Sequence, residues 1–530
     1  MTRYVVGLIP ALLFLFAAVR DEQAGPAAGL GRQLIPPQWW TKASAIVRVS
    51  LKQRGNRPGF PMDPSKASVE LDSLRAKGVS AIEIFGPSYN GDAYGGLDPI
   101  DRYRPAAGSM EDFRRLVRLI HSKGMAVITF ENLGYISLDA PEWGKACDDV
   151  RAGRQSREAR WFRWSDRADT PAPAGDSIFL LLDPLRVWRY GHGPDDPGPP
   201  QGFLSLDWAG RGQWEYSQRA GKYYWTKWGV RDSSGKRIGL PHYDWANREW
   251  QEETEKILRF WMDTGLDGMI MDAPGMYIDC GWEMTRRRIT SVLSAYGNVY
   301  RQAEGAGSLY ENPGVWLSEG GYNSVQDYPL VDLSGTGSVS PIRKALETGD
   351  PRPIEATLRG YHDRVVEEGG ALYLTAGGRL RFTDPHDQEL ALATGVLAGD
   401  ILSYSAAEAL KIGPGLQRLL EMKKSHPALH NLSTRRQVPT TADSKHYVFL
   451  RTAADRSERI LVVMNFQTAE QTVDIDLSGV ATAGLVALDD GTAMPRRTPF
   501  RVDLSAHSYR LYEVKPATKL APHSLSKKVP

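Results

Sequence analysis

The chain has 530 residues, with 65 Lys and Arg against 63 Asp and Glu, giving a formal net charge of +2. That balance offers no basic field for nucleic acid and points to a small, neutral partner. The length allows two to four domains at roughly 150 residues each, and a (β/α)8 barrel alone would take up about 250.

Near the N-terminus, Arg3 precedes an apolar run over residues 4–19, followed by Arg20, Asp21, Glu22 and a segment of small residues. Residues 1–24 resemble a secretory signal, because the run is shorter than the ~20 residues a spanning helix needs. A secreted or periplasmic location is expected, with a retained membrane anchor as the weaker alternative. Cys147 and Cys280 permit one disulfide but require none, and they lack the spacing and His neighbours of a zinc site.

Residues 45–50 read as a strand. Asp63-Pro64 then opens a helix with Leu71 and Leu74 inward, Gly78 stops it, and residues 80–85 form a second strand. Ser109 and Asp112 have the spacing of a capping box ahead of Phe113, Leu116, Val117 and Ile120, and residues 125–130 follow Gly124 as a third strand. This order predicts parallel strands joined by right-handed crossovers.

Residues 132–245 break the rhythm and hold nine of the fifteen tryptophans. The stretch is too long for a loop and must fold as a unit. Its aromatics read first as its own core, and second as flat rings that can stack on sugar faces. Asn247 caps the next helix, whose Trp250, Ile257, Leu258 and Trp261 share one face, and Gly265 terminates it. The run Met269-Ile270-Met271 is apolar on both faces, as a buried parallel strand requires, and it delivers Asp272 at its far end.

Further strands are predicted at 315–318 before Glu319, at 330–333, at 380–383 before His386 and Asp387, and at 400–404, which completes eight. The predicted fold is α/β: a (β/α)8 TIM barrel over residues 39–131 and 246–426, with an inserted domain at 132–245. An antiparallel β-domain at 438–515 and a tail at 516–530 complete the chain.

In a closed barrel the carboxyl ends of the strands converge on one pocket. Asp272, Glu319 and Asp387 stand at three predicted strand ends. Two carboxylates across a glycosidic bond support double displacement, one as nucleophile and the other as acid and then base. Each acid alone reads as structural; their convergence is what points to a functional site.

These residues resemble the α-amylase family, glycoside hydrolase family 13, in its α-glucosidase and oligosaccharide-acting branch. Residues 261–273 are similar to the family's fourth-strand motif, 316–320 to the fifth, 383–388 to the seventh, and 418–429 to the helix that leads into the C-terminal β-domain. The insertion at 132–245 stands where the family has domain B. The resemblance implies Asp272 as nucleophile, Glu319 as acid/base and Asp387 as transition-state stabiliser. His386 and Asp98 would contact the sugar, and Tyr135 or Glu131 would substitute for lost third-strand residues.

The departures are specific. Ile270 stands where the family has Arg, Phe130, Gly134 and Tyr135 where it has Asp, Asn and His, and Leu97 where it has a stacking aromatic. Removing a guanidinium beside the nucleophile is expected to raise that acid's pKa. Residues 53–63 carry no regular run of oxygen ligands, so no obligatory metal or other cofactor is expected.

The implied activity is retaining hydrolysis of α-glucosidic bonds in short oligosaccharides or α-glucosides. Transglycosylation or sucrose isomerisation on the same fold is one alternative. A non-catalytic scaffold that binds a sugar or a protein is another. The expected partner is a small carbohydrate; the sequence leaves the oligomeric state open.

Overall fold

Eight parallel strands close on themselves in chain order: β1 (Ala45–Val49), β2 (Ala81–Phe85), β3 (Ala126–Glu131), β4 (Gly268–Met271), β5 (Tyr300–Ala303), β6 (Ser324–Gln326), β7 (Ala371–Thr375) and β8 (Ile401–Ser405). The computed structural model describes residues 35, 38–52, 59–85, 102–170, 213–226, 228–231, 237–274, 282–304, 313–327, 329–330, 340–375, 380, 382–495 and 499–516.

The helices form for the reasons the sequence gives. Asp63 caps α1 (Pro64–Ala76) by accepting from the Ser65 and Lys66 amides at 3.1 and 3.0 Å. Ser109 and Asp112 make the expected reciprocal capping box on α2 (Met110–Ser122), at 3.1 and 2.9 Å. Asn247 caps α3 (Arg248–Met262), which buries Trp250, Ile257, Leu258 and Trp261 against the barrel. Gly265 then reverses the chain at a φ of 100° and leads it into β4.

Strands five, six and seven are displaced from their expected positions. Residues 315–318 lie in a short helix, α4 (Gly314–Ser318), where Trp316 packs edge-on against Trp282 at 4.9 Å. A four-residue apolar run suits a buried helical turn as well as a strand, and packing decided for the helix. The true β5 and β6 carry Gln302, Ser324 and Gln326 in their short runs, so their hydrophobic signal is weak. Residues 331–333 of the expected sixth strand lie outside the described residues. The real seventh strand, Ala371–Thr375, precedes the expected one, and Leu380 and Phe382 lie in the non-strand segment after it.

Within 132–245 the described aromatics form a core. Trp143 stacks on Trp164 at 5.0 Å, and Tyr243 lies parallel to Trp250 of α3 at 3.5 Å. Cys147 is buried beside Ser217, with 3.6 Å between Sγ and Oγ; Cys280 lies outside the described residues. The C-terminal part is a six-stranded sheet plus a two-stranded one, with a separate apolar core around Val448, Leu461, Val463, Val473 and Phe500. Its strands include Thr434–Gln437, Ala493–Pro495 and Phe500–Leu504.

The barrel and the C-terminal sheet meet around buried charge. Arg451 donates to the carbonyls of Ala398, Ala428 and His430 at 2.5, 3.2 and 2.7 Å, bridging the end of α5 (Pro385–Ala398) to the segment that follows α6 (Pro414–Ser425). Beside it lie Asp327, His362, Asp400 and Lys423, all buried. Burial holds the His362 imidazole down to about 3 and pushes the Asp400 carboxyl up to about 7.

Replacing Arg451 with Met leaves the Ala398 and Ala428 carbonyls without this donor, at roughly 1–3 kcal/mol each, while the His430 carbonyl keeps the Ser433 amide at 3.1 Å; unfolding stability should fall by several kcal/mol in urea titrations. His362 is neutral in the fold down to about pH 3, whereas unfolded His titrates near 6.5. Its contribution is complete above pH ~6.5 and is lost as pH falls towards 3. The thermal midpoint of His362→Gln should therefore fall less between pH 7 and 5 than that of the unsubstituted protein; an equal fall would remove His362 from the pH response.

Candidate active site

Asp272 follows β4 and is held on two sides. Its amide donates to the Glu131 carbonyl at 2.8 Å, and its Oδ2 accepts from the Tyr135 hydroxyl at 3.1 Å. Tyr135 reaches it from the segment after β3, which a bridge to His242 pins to the end of the insertion.

The partner acid is Glu304, directly after β5. Its amide donates to the Met271 carbonyl at 2.9 Å, and its Oε2 lies 3.4 Å from the Ala273 amide. The two carboxyl groups are near enough for each to act on the other's ionisation. Burial first, and then the charge of Glu304, push the Asp272 carboxyl well above the usual carboxylate range, while the Tyr135 hydroxyl and the Arg48 guanidinium pull the other way. Two carboxyls in this contact favour one proton between them, which leaves one able to attack and the other able to donate. Ala273, beside them, has a φ of 37°, a left-handed conformation that costs a non-glycine residue about 1–3 kcal/mol and is concentrated at functional sites.

Other expected site residues lie elsewhere. Glu319 is the exposed C-cap of α4, and its carbonyl accepts from Arg286 Nε at 3.0 Å, so it does not stand at the end of β5. Asp387 is the third residue of α5, where its carboxylate pairs with His507 of the C-terminal sheet. His386 is exposed beside it, with its amide bonded to the Asp384 cap at 2.7 Å. From Thr375 at the end of β7 to Thr383 the sequence contains no carboxylate, so the third acid of the expected set is not supplied there.

Glu131 is buried on β3 next to inward-facing Phe130; burial raises its carboxyl to about 8, against the pull of Arg102. Asp98 lies outside the described residues. Of the expected residues, the structure brings together Asp272 and Tyr135, and it adds Glu304. The signal for Glu304 was the turn pair Gly297-Asn298, a short run from Val299, and an acid followed by Gly305. It was masked by the polar Arg301 and Gln302 within the run. Among the described residues, no group of three or more His, Cys, Asp or Glu side chains is placed to hold a metal ion.

A closed parallel barrel with two neighbouring carboxyls, Asp272 buried and Glu304 partly so, at adjacent strand ends can support acid and base work on a bond held between them. The alpha amylase catalytic domain matches residues 94–294, and the maltogenic amylase C-terminal domain matches residues 436–511. These two matches, over separate parts of the chain, are what it shares with the α-amylase family of glycoside hydrolases.

It is 26% identical over 246 residues to an alpha-glucosidase of Schizosaccharomyces pombe, covering 46% of this chain and 36% of that enzyme. It is 24% identical over 242 residues to an oligo-1,6-glucosidase of Heyndrickxia coagulans, covering 45% of this chain and 36% of that one. The chain thus spans little more than a third of the length of these curated relatives. A mutant trehalulose synthase in complex with Tris superposes with a TM-score of 0.63 at 16% identity, over 90% of this chain and 100% of that one. A mutant isomaltulose synthase from Erwinia rhapontici NX5 in complex with sucrose gives 0.62 at 16% identity, over 91% and 100%. At that identity the likeness concerns the fold.

The placement separates the acids by role. Asp272→Asn and Glu304→Gln should each lower turnover by about a thousandfold or more, whereas Glu319→Gln should leave kcat within about twofold. Loss of turnover in Glu319→Gln with Glu304→Gln unaffected would reverse the assignment.

Proposed function

We propose that this chain is a retaining enzyme that cleaves α-glucosidic bonds of short oligosaccharides or α-glucosides. The observation that carries this reading is the placement of Asp272 and Glu304 one residue beyond the paired ends of adjacent strands. In this assignment Asp272 attacks the anomeric carbon. Glu304 protonates the leaving oxygen and then deprotonates the water, or the second sugar, that resolves the glycosyl intermediate. Tyr135 holds the nucleophile's oxygen in place. The alpha-glucosidases and oligo-1,6-glucosidases among the relatives support the substrate class, and the isomerase folds support sugar transfer as the alternative fate of the intermediate. The signal-like N-terminus supports action outside the cytoplasm.

A second reading also has a specific observation behind it. Asp387, the third acid of the expected set, is paired with His507 in the first turn of α5, as it could be in a sugar-binding scaffold descended from an enzyme. A panel of α-linked disaccharides and aryl α-glucosides, with products followed by NMR, separates the two. Turnover with retained anomeric configuration that is lost in Asp272→Asn establishes the enzyme, and free glucose against new linkages distinguishes hydrolysis from transfer. Undiminished sugar binding without turnover establishes the scaffold.

A further inference from the structure

The interior of the barrel holds an ion pair that the catalytic assignment leaves unused. Arg48 of β1 lies in register with Glu83 of β2, and its Nε donates to Glu83 Oε1 at 2.6 Å. Glu83 is completely buried, and its other oxygen accepts from the Tyr373 hydroxyl of β7 at 2.7 Å, with Ser403 of β8 a further 2.6 Å from that hydroxyl. A buried carboxylate held this way on both oxygens is a fixed anchor, so the guanidinium it grips is also fixed.

That guanidinium is turned towards the acids. Its carbon lies 4.5 Å from the ring centroid of Phe85 and 5.1 Å from that of Phe130, so it crosses the ends of β2 and β3 in the direction of β4. Phe130 is in register with Ile270, two residues before Asp272. A third of the Arg48 side chain remains exposed, at the open end of the barrel. β4 supplies no cation of its own, because the side chain beneath Asp272 is the fully buried Ile270.

We propose that Arg48, anchored by Glu83 and laid across Phe85 and Phe130, is the positioning residue that balances the charge of the Asp272 and Glu304 pair. Two carboxyls in contact inside a barrel cannot ionise without a positive charge nearby. Among the described residues, the groups that act most on Asp272 are Glu304 from β5, Tyr135 after β3 and Arg48 from β1, and of these Arg48 is the cation. The influence is mutual: burial would lower the Arg48 pKa, but Glu83, Tyr373 and Glu304 together hold it above the usual arginine value. Arg48 therefore serves two strands. It neutralises Glu83 in the barrel interior and keeps one of the paired acids available as an anion at neutral pH.

This inference rests on the assignment of Asp272 and Glu304, and its test does not depend on turnover. In the full chain carrying 13C-labelled aspartate carboxyls, the Asp272 resonance is identified by its loss in Asp272→Asn and titrated by NMR. In Arg48→Met the Asp272 midpoint should rise by about one unit or more. In Glu83→Gln, which leaves the guanidinium uncompensated, it should fall. Should Arg48→Met fail to fold by circular dichroism, Glu83→Gln decides alone. A midpoint unmoved in the folded variants overturns the proposal. If the midpoints move while no α-glucoside is turned over, the role of Arg48 stands and the enzymatic reading falls. If turnover is present, the acidic limb of kcat/KM in Arg48→Met should move up with the midpoint while KM stays unchanged, because the substrate does not bind through this charge.

Discussion

The close approach of β4 to β5 is the constraint on which the rest of the site depends. Gly268 opens β4 against Tyr300 of β5, and a Cβ on Gly268 would sit 2.2 Å from the Tyr300 carbonyl oxygen. Without that space the two strands could not pair in this register, with Ile270 opposite Gln302 and Met271 opposite Ala303. The register places Asp272 and Glu304 one step beyond the last paired residues, on neighbouring strands. Their proximity, the raised pKa of Asp272 and the demand for a nearby cation all follow from that placement.

Charge inside this protein is managed in two separate places by related means. At the barrel mouth, Arg48, Glu83, Tyr373 and Ser403 tie four strands together around the axis. At the junction with the C-terminal sheet, Arg451 satisfies backbone carbonyls while Asp400, His362 and Lys423 lie buried beside it. Neither cluster is a surface salt bridge of small worth, because the acids Glu83 and Asp400 are buried and each cluster is bonded on several sides. The outer cluster fixes how two parts of the chain dock. The inner one lies at the carboxyl ends of the strands, where chemistry is done.

The insertion contributes to the same pocket from above. Its aromatics pack against one another and, through Tyr243 on Trp250, against α3, the helix that precedes β4. The Tyr135 hydroxyl is thereby held over Asp272 by a segment whose far end is bridged at His242. Substitutions in that aromatic core should thus be felt at the carboxyl pair as well as in stability.

The sequence by itself determined the barrel, the capped helices, the insertion, the C-terminal sheet and Asp272. These rest on local signals: caps at Asp63, Ser109 and Asn247, glycine stops, and apolar runs long enough to have one reading. It did not determine β5 and β6, because short strands with polar interior positions carry little hydrophobic periodicity, and Glu304 was lost with them. It placed Glu319 at a strand end because a short apolar run fits strand and helix alike, and Asp387 because the real seventh strand, Ala371–Thr375, precedes the expected one. Only the tertiary structure decided those cases, by burying Trp316 in a helical turn and by pairing Asp387 with His507. Arg48 was invisible for a different reason: its partners Glu83, Phe85, Phe130 and Tyr373 come from three other strands, and only closure of the barrel brings them together.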